Sequence, residues 1–196
     1  MAYNQAIDSL KQHIAKKYIQ NTKKIKTNIY RGNSRSLSSD VEEEIAIFCK
    51  TIMPKKYKNY IDVSIHEGGK NHKPDLLIVN TNGEVVAMIE IKANMGYCRN
   101  AGAVIDKLHN NDKVFKGKNE LLFKIHDGNK ANVKYGNNVK LFLIALTREN
   151  CDKNSHKKNR LNASKASIKY FTLFDGWYDN LSNNEIINFA NELQKL

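Results

Sequence analysis

Asp75, Glu90 and Lys92 are the residues of this 196-residue chain whose types and spacing point to chemistry. They lie in the stretch KPDLLIVNTNGEVVAMIEIKAN, where two apolar runs are joined by a turn-forming Asn82-Gly83 pair. Two carboxylates and an ammonium set among Leu, Ile and Val need a reason to be there, because charged side chains are rarely buried unless paired. Paired acids offer the hard oxygen ligands that suit Mg²⁺, with Mn²⁺ as its substitute. Mg²⁺ commonly takes one or two protein carboxylates and fills its other positions with water and phosphate oxygens. Such an ion lowers the pKa of a bound water and polarises a phosphoryl oxygen. A lysine beside it can hold or help deprotonate the attacking water and offset charge in the transition state.

A two-residue Asn82-Gly83 turn would pair Thr81 with Glu84 and carry the register on until Asp75 faces Glu90 across a hairpin, with Cβ atoms ~4.5–5.5 Å apart. Lys92 lies two residues beyond Glu90 and so shares its side of the strand. A three-residue loop would break this register. Two facing carboxylates repel, and a divalent cation offsets the repulsion. As ordinary structure, Asp75 would cap a strand and Glu90 and Lys92 would alternate outward to solvent. Against that, Leu76, Leu77, Ile78 and Val79, with the run from Val85 to Ile89 and Ile91, fill both faces of both strands, as central strands do.

Helices and further strands must hold this hairpin. Ile7, Leu10, Ile14 and Tyr18 have helical spacing and predict an amphipathic helix over 6–19. Ser38 or Ser39 can cap a second helix with a stripe of Val41, Ile45, Phe48 and Ile52, which Pro54 ends. YIDVSIHE reads as one strand, PDLLIVN as a second and VVAMIEIKA as a third. A helix follows over 101–111, then a Lys-rich segment of unassigned structure. KLFLIALT suits a strand buried on both faces. A basic loop, the strand candidate SIKYFTLFDGWYD and a Ser182-capped helix complete the chain. This order indicates an α/β sandwich around a mixed sheet. Length favours a single domain over 1–196.

Pro74-Asp75, followed after a hairpin by Glu90-Ile91-Lys92, resembles the PD-(D/E)xK nuclease superfamily, in the manner of Type II restriction endonucleases. The resemblance covers roughly 36–111 and implies a catalytic core at about 36–147, with a C-terminal part, 148–196, that could recognise DNA. It implies a restriction-endonuclease-like core, with a central mixed β-sheet flanked by α-helices, and Mg²⁺-dependent cleavage of double-stranded DNA. It also implies that the backbone carbonyl of Ile91 joins Asp75 and Glu90 as a metal ligand. Many members add a glutamate from the helix before the hairpin. At 100° per residue Glu42 and Glu44 border the apolar stripe on opposite sides while Glu43 points away. SSDVEEEIA looks similar to the helix entry of some restriction-type sequences, which favours Glu42, with Glu44 as the alternative. Each of these acids would equally complement a helix dipole.

The formal charge of +12 attracts polyanions, although a chain rich in Lys, Asn and Ile can owe part of it to composition. Two stretches lack acids, 9–39 and 153–174. Lys157, Lys158 and Arg160 in the second, and Arg99 just past the hairpin, are candidate DNA contacts; a charge run is also the usual form of a solvated face. Cys49, Cys98 and Cys151 show neither zinc spacing nor a disulfide framework, which fits a reducing cytoplasm. No apolar run reaches membrane-spanning length, and no phosphate-cradling Gly-rich loop implies a nucleotide cofactor. His66 and His72 stand isolated near Asp75 and read as surface residues. The expected protein is a Type II enzyme that cuts a short site as a homodimer. A junction resolvase or repair nuclease, and a non-catalytic DNA-binding defence protein, are the alternatives.

Overall fold

Hydrophobic alternation along the central strands sets the layers. In the computed structural model, which describes residues 2–23, 38–53, 57–94, 101–125, 129–147, 151–174 and 183–196, the elements run in this order. Helices α1 (Ala2–Lys23) and α2 (Ser38–Ile52) come first. Strands β1 (Lys58–Ile61), β2 (Ile65–Glu67), β3 (Lys70–His72), β4 (Leu76–Val79) and β5 (Glu84–Asn94) follow. Then come α3 (Ala101–Phe115), β6 (Leu121–Lys124), β7 (Lys130–Thr147), α4 (Lys153–Lys165), β8 (Ile168–Phe174) and α5 (Asn183–Gln194). The strands form one sheet in the order β1-β4-β5-β7-β6-β2-β3, with β8 also paired to β7. β5 and β8 lie parallel to β7, while β1–β4, β4–β5 and β6–β7 are antiparallel. The fold is therefore a mixed sheet flanked by helices, as expected.

Period-2 side chains divide the core in two. Leu76, Ile78, Ala87, Ile89, Phe142 and Ile144 face α1, α2 and α5. Leu77, Val79, Met88, Leu141, Leu143 and Tyr170 face α3 and α4. Phe189 of α5 is fully buried against Phe48, Phe142 and Phe171, and so ties two helices to the sheet. Phe189→Ala should cost about 3–5 kcal/mol, since the cavity between three rigid rings cannot collapse fully. Urea unfolding checks this; a loss below about 1 kcal/mol would mean that the aromatic cluster repacks.

Several elements differ from the sequence reading. YIDVSIHE is two strands, because Asp62 adopts a left-handed backbone (φ 46°) that breaks the run. β1 stays with β4, while β2 leaves to pair with β3 and β6. The Lys-rich segment after α3 supplies β6 and the first half of β7, whose 18 residues extend well beyond KLFLIALT. The basic loop is a helix, α4, capped by Asp152, whose carboxylate accepts from the backbone N–H of Asn154 and Ser155. Asp152 is a favoured N-cap, but α4 buries only Ala163 and so lacks the apolar stripe by which a helix is read from sequence. The C-terminal residues also build the core: β8 extends the sheet and α5 covers it. Ser182 lies outside the described residues. Among them, no helix is long and apolar enough to cross a membrane.

The hairpin turn also differs, and in an instructive way. Asn80, not Thr81, closes it, with its N–H on the Glu84 carbonyl at 2.9 Å and its side-chain Oδ1 accepting from the N–H groups of Asn82 and Glu84. The loop thus has three residues, ending on Gly83 at φ 74°, a left-handed conformation that glycine adopts without steric cost. Alone, this would shift the register by one and turn Glu90 away. A bulge compensates: Val79 pairs with Val85 but Ile78 pairs with Ala87, so that Val86 is the extra residue. Beyond it Leu77 faces Met88 and Leu76 faces Ile89, the register expected for a two-residue turn.

Candidate active site

Asp75 sits one residue before β4, and Glu90 and Lys92 sit in the second half of β5. Leu76 pairs with Ile89, so the next step along the hairpin brings Asp75 to the level of Glu90. The Asp75 carboxylate turns along the strand and accepts the backbone N–H of Ile91 at 2.6 Å. Lys92 folds back over its own strand. Its ammonium donates to Glu90 Oε1 at 2.7 Å and to the Ile91 carbonyl at 3.0 Å, and approaches Asp75 Oδ2 at 3.4 Å. One cation thus collects the three oxygens that the sequence resemblance assigned to a metal.

Glu90 is fully buried, with 0% of its surface exposed. A second ammonium explains how it can be. Lys107, from the middle of α3, donates to both Glu90 oxygens at 2.7 and 2.9 Å. Asp75, Glu90, Lys92 and Lys107 form a neutral group of four, which offsets the cost of removing charge from water. Burial lowers the Lys92 pKa, but the pull of Glu90 and Asp75 outweighs it, and the net shift is upward.

Glu42 reaches the same place from α2. Its pKa is raised to about 7, first by burial and then by repulsion from Asp75, Asp62 and Glu90, with Lys92 opposing. Glu43 is exposed. Glu44 turns toward α1, where His13 Nδ1 lies 3.0 Å from its carboxylate. Of the helix acids, then, Glu42 is the one the structure brings to the hairpin. Because the unfolded value is near 4.5, the folded protein holds a proton on Glu42 that the unfolded chain has lost between about pH 4.5 and 7, and stability falls as pH rises through that window. Glu42→Gln should therefore raise the melting temperature in EDTA near pH 8 and leave it unchanged near pH 4. Equal effects at both pH values would remove the electrostatic explanation.

Other sequence candidates lie elsewhere. Arg99 is outside the described residues. Lys157 and Lys158 are exposed on α4. Arg160 is already engaged, with Nη2 2.7 Å from Glu185 Oε1 and its guanidinium over the Tyr170 ring. His66 Nδ1 contacts Asn71 Oδ1 at 3.1 Å, and His72 contacts Asn111 and the Glu67 carbonyl, so both serve the β2–β3 ribbon and its seat on α3. Cys49 is buried in α2, and neither it nor Cys151 forms a disulfide; Cys98 is outside the described residues.

Two participants escaped the sequence reading. Lys107 carries no local signal, since it is one lysine on an amphipathic helix. Asp62 was read as mid-strand, but its carboxylate adds to the negative field at Glu42 and its N–H binds the Asp75 carbonyl at 3.0 Å.

Known structures share this architecture. NucC of P. aeruginosa ATCC27853, in its cAAA-bound form, superposes with a TM-score of 0.58 at 10% identity, over 97% of this chain and 88% of that one. NucC of E. coli MS115-1, also cAAA-bound, gives 0.59 at 8% identity over the same shares. The chain shares the NucC fold. At such identity the likeness is one of fold. No family model and no curated protein matches the sequence.

The site's fit to a divalent cation rests on its own donors. Among the described residues no three His, Cys, Asp or Glu side chains stand close enough to hold an ion by themselves. Mg²⁺ does not require three: one or two carboxylates with a carbonyl, water and phosphate suffice. Asp75, Glu90 and the Ile91 carbonyl, already converging on one ammonium, meet that need.

Proposed function

We propose that this chain is a divalent-metal-dependent endonuclease that hydrolyses phosphodiester bonds of double-stranded DNA. The observation that carries the reading is the convergence of Asp75, Glu90 and the Ile91 carbonyl on a single cation position, with Lys92 as its present occupant. The fold is consistent with the reading, since the mixed sheet flanked by helices is the architecture that the sequence resemblance implied.

In the mechanism, Asp75, Glu90 and the Ile91 carbonyl would hold Mg²⁺ or Mn²⁺, which supplies charge stabilisation at the phosphoryl group and a more acidic water. Lys92 would then turn from the ligand oxygens, hold the attacking water by donating a hydrogen bond to its oxygen and offset the charge gained by the phosphoryl oxygens, while the water's proton passes to solvent. Glu42 borders the same space and can hold a water. The bulge at Val86 keeps Glu90 and Lys92 on the inward side. A net charge of +12 draws the duplex to the protein, and Lys157 and Lys158 on α4 are candidate phosphate contacts, with Arg99 a further one.

How the DNA is chosen has two forms. A Type II restriction enzyme would cut a short site as a homodimer, one active site per strand. A nucleotide-dependent nuclease is the second form: the NucC structures of the same fold hold cAAA, so activity should be assayed with and without that nucleotide. Plasmid, phage and branched DNA incubated with Mg²⁺ or Mn²⁺ test both. Discrete fragments support the restriction form, and nucleotide-dependent degradation supports the second form. Cleavage of branched DNA alone indicates a resolvase. No cleavage with either metal, with or without cAAA, sinks the nuclease reading in favour of a binding protein.

A further inference from the structure

Glu90 accepts three hydrogen bonds from two ammonium groups. Its Oε1 accepts from both Lys92 and Lys107 at 2.7 Å, which fills that oxygen's two lone-pair directions. Its Oε2 accepts from Lys107 at 2.9 Å and keeps a single direction open. A metal ion binding through Glu90 therefore meets two competitors. Lys92 belongs to the hairpin and has a role beside the water once displaced. Lys107 comes from a different element, and no step of hydrolysis described above needs it.

We propose that Lys107 is a positioning residue that competes with the divalent cation for Glu90 and keeps the DNA-free site weakly metal-binding. The inference rests on the metal-dependent nuclease reading. Its geometry suits the role. The Lys107 side chain is 40% exposed against 26% for Lys92, so its ammonium can swing to solvent by rotamer change while α3 stays in place. Two cations on one carboxylate repel, and the displaced ammonium gains a new counter-ion when a DNA phosphate arrives. Metal and DNA then favour each other's binding, and by linkage the coupling is reciprocal. A solely structural lysine would neutralise Glu90, and its removal would weaken the site. A competitor predicts the opposite.

The test is Mn²⁺ affinity, read by calorimetry and by Mn²⁺ electron paramagnetic resonance, for the wild type, Lys107→Gln and Lys107→Arg. Without DNA, Lys107→Gln should bind Mn²⁺ about tenfold more tightly, while Lys107→Arg, which keeps the charge, should match the wild type. With a short duplex, in samples frozen before turnover, wild-type and Lys107→Gln affinities should converge. Circular dichroism melts establish that each variant is folded; should Lys107→Gln not fold, Lys107→Met, which keeps the apolar stem and removes the charge, replaces it with the same expected tightening. Unchanged or weaker Mn²⁺ binding by folded Lys107→Gln, with binding still lost in Glu90→Gln, overturns the inference and leaves the nuclease reading standing. If the wild type binds no Mn²⁺ even with DNA, both fall.

Discussion

Asp75→Asn should lower the single-turnover rate of DNA cleavage in Mg²⁺ by several powers of ten and leave the fold intact. The two halves of this expectation have separate causes. Asp75 holds the hairpin through the Ile91 N–H, and an asparagine side-chain oxygen can accept the same hydrogen bond. It cannot supply the negative charge that a divalent cation requires of a site built from two carboxylates and a carbonyl. DNA affinity should be equal or higher, because a negative charge beside the scissile phosphate is gone. Single-turnover kinetics, filter binding and a thermal melt measure the three quantities. A variant that cuts near the wild-type rate would mean that the hairpin carboxylates are not the ligands, and the nuclease proposal would lose its main support.

Lys92→Ala should abolish cleavage to a similar extent, yet metal binding should persist. Lysine offers no ligand oxygen, and its ammonium stands where the cation would sit. Removing it empties that position, so Mn²⁺ should bind as tightly as in the wild type or more so. Glu90 retains Lys107 as its partner, which limits the loss of stability that an unpaired buried carboxylate would bring. Cleavage is read by single-turnover kinetics and Mn²⁺ by calorimetry. Loss of both metal binding and cleavage would instead make Lys92 a structural support of the carboxylates. Cleavage at the wild-type rate would remove it from the chemistry altogether.

Much of this site was legible because it is local. A hairpin brings Asp75 to Glu90 within one turn, period-2 alternation places Lys92 on the same side, and helical spacing separates Glu42 and Glu44 from Glu43. Apolar runs such as KLFLIALT marked the buried strands, since a strand covered on both faces must be apolar throughout. Other features hid from the same rules. Asn82-Gly83 is a strong signal for a two-residue turn, yet Asn80 takes the closing position because its side chain satisfies two loop N–H groups at once. The register at the site came out as expected only because the Val86 bulge restores it. A strand reads identically with or without such a bulge, as the extra residue is another valine and pairing partners decide where it falls.

Helical spacing left both Glu42 and Glu44 open, and although the sequence resemblance favoured Glu42, tertiary structure decided which of them approaches the hairpin. Glu42 and Glu44 border the same stripe, and His13 of α1 draws Glu44 away while Glu42 faces Asp75 and Lys92. The same holds for Lys107, which meets Glu90 because α3 packs across β5 and β7 and not because of any spacing in the chain. Sequence periodicity states which side of an element is apolar, and a local motif states which groups neighbour each other within one or two elements. It carries no information on how separate elements cross. Long, flexible charged side chains at such crossings therefore find their partners only when the packed layers fix the distances between them.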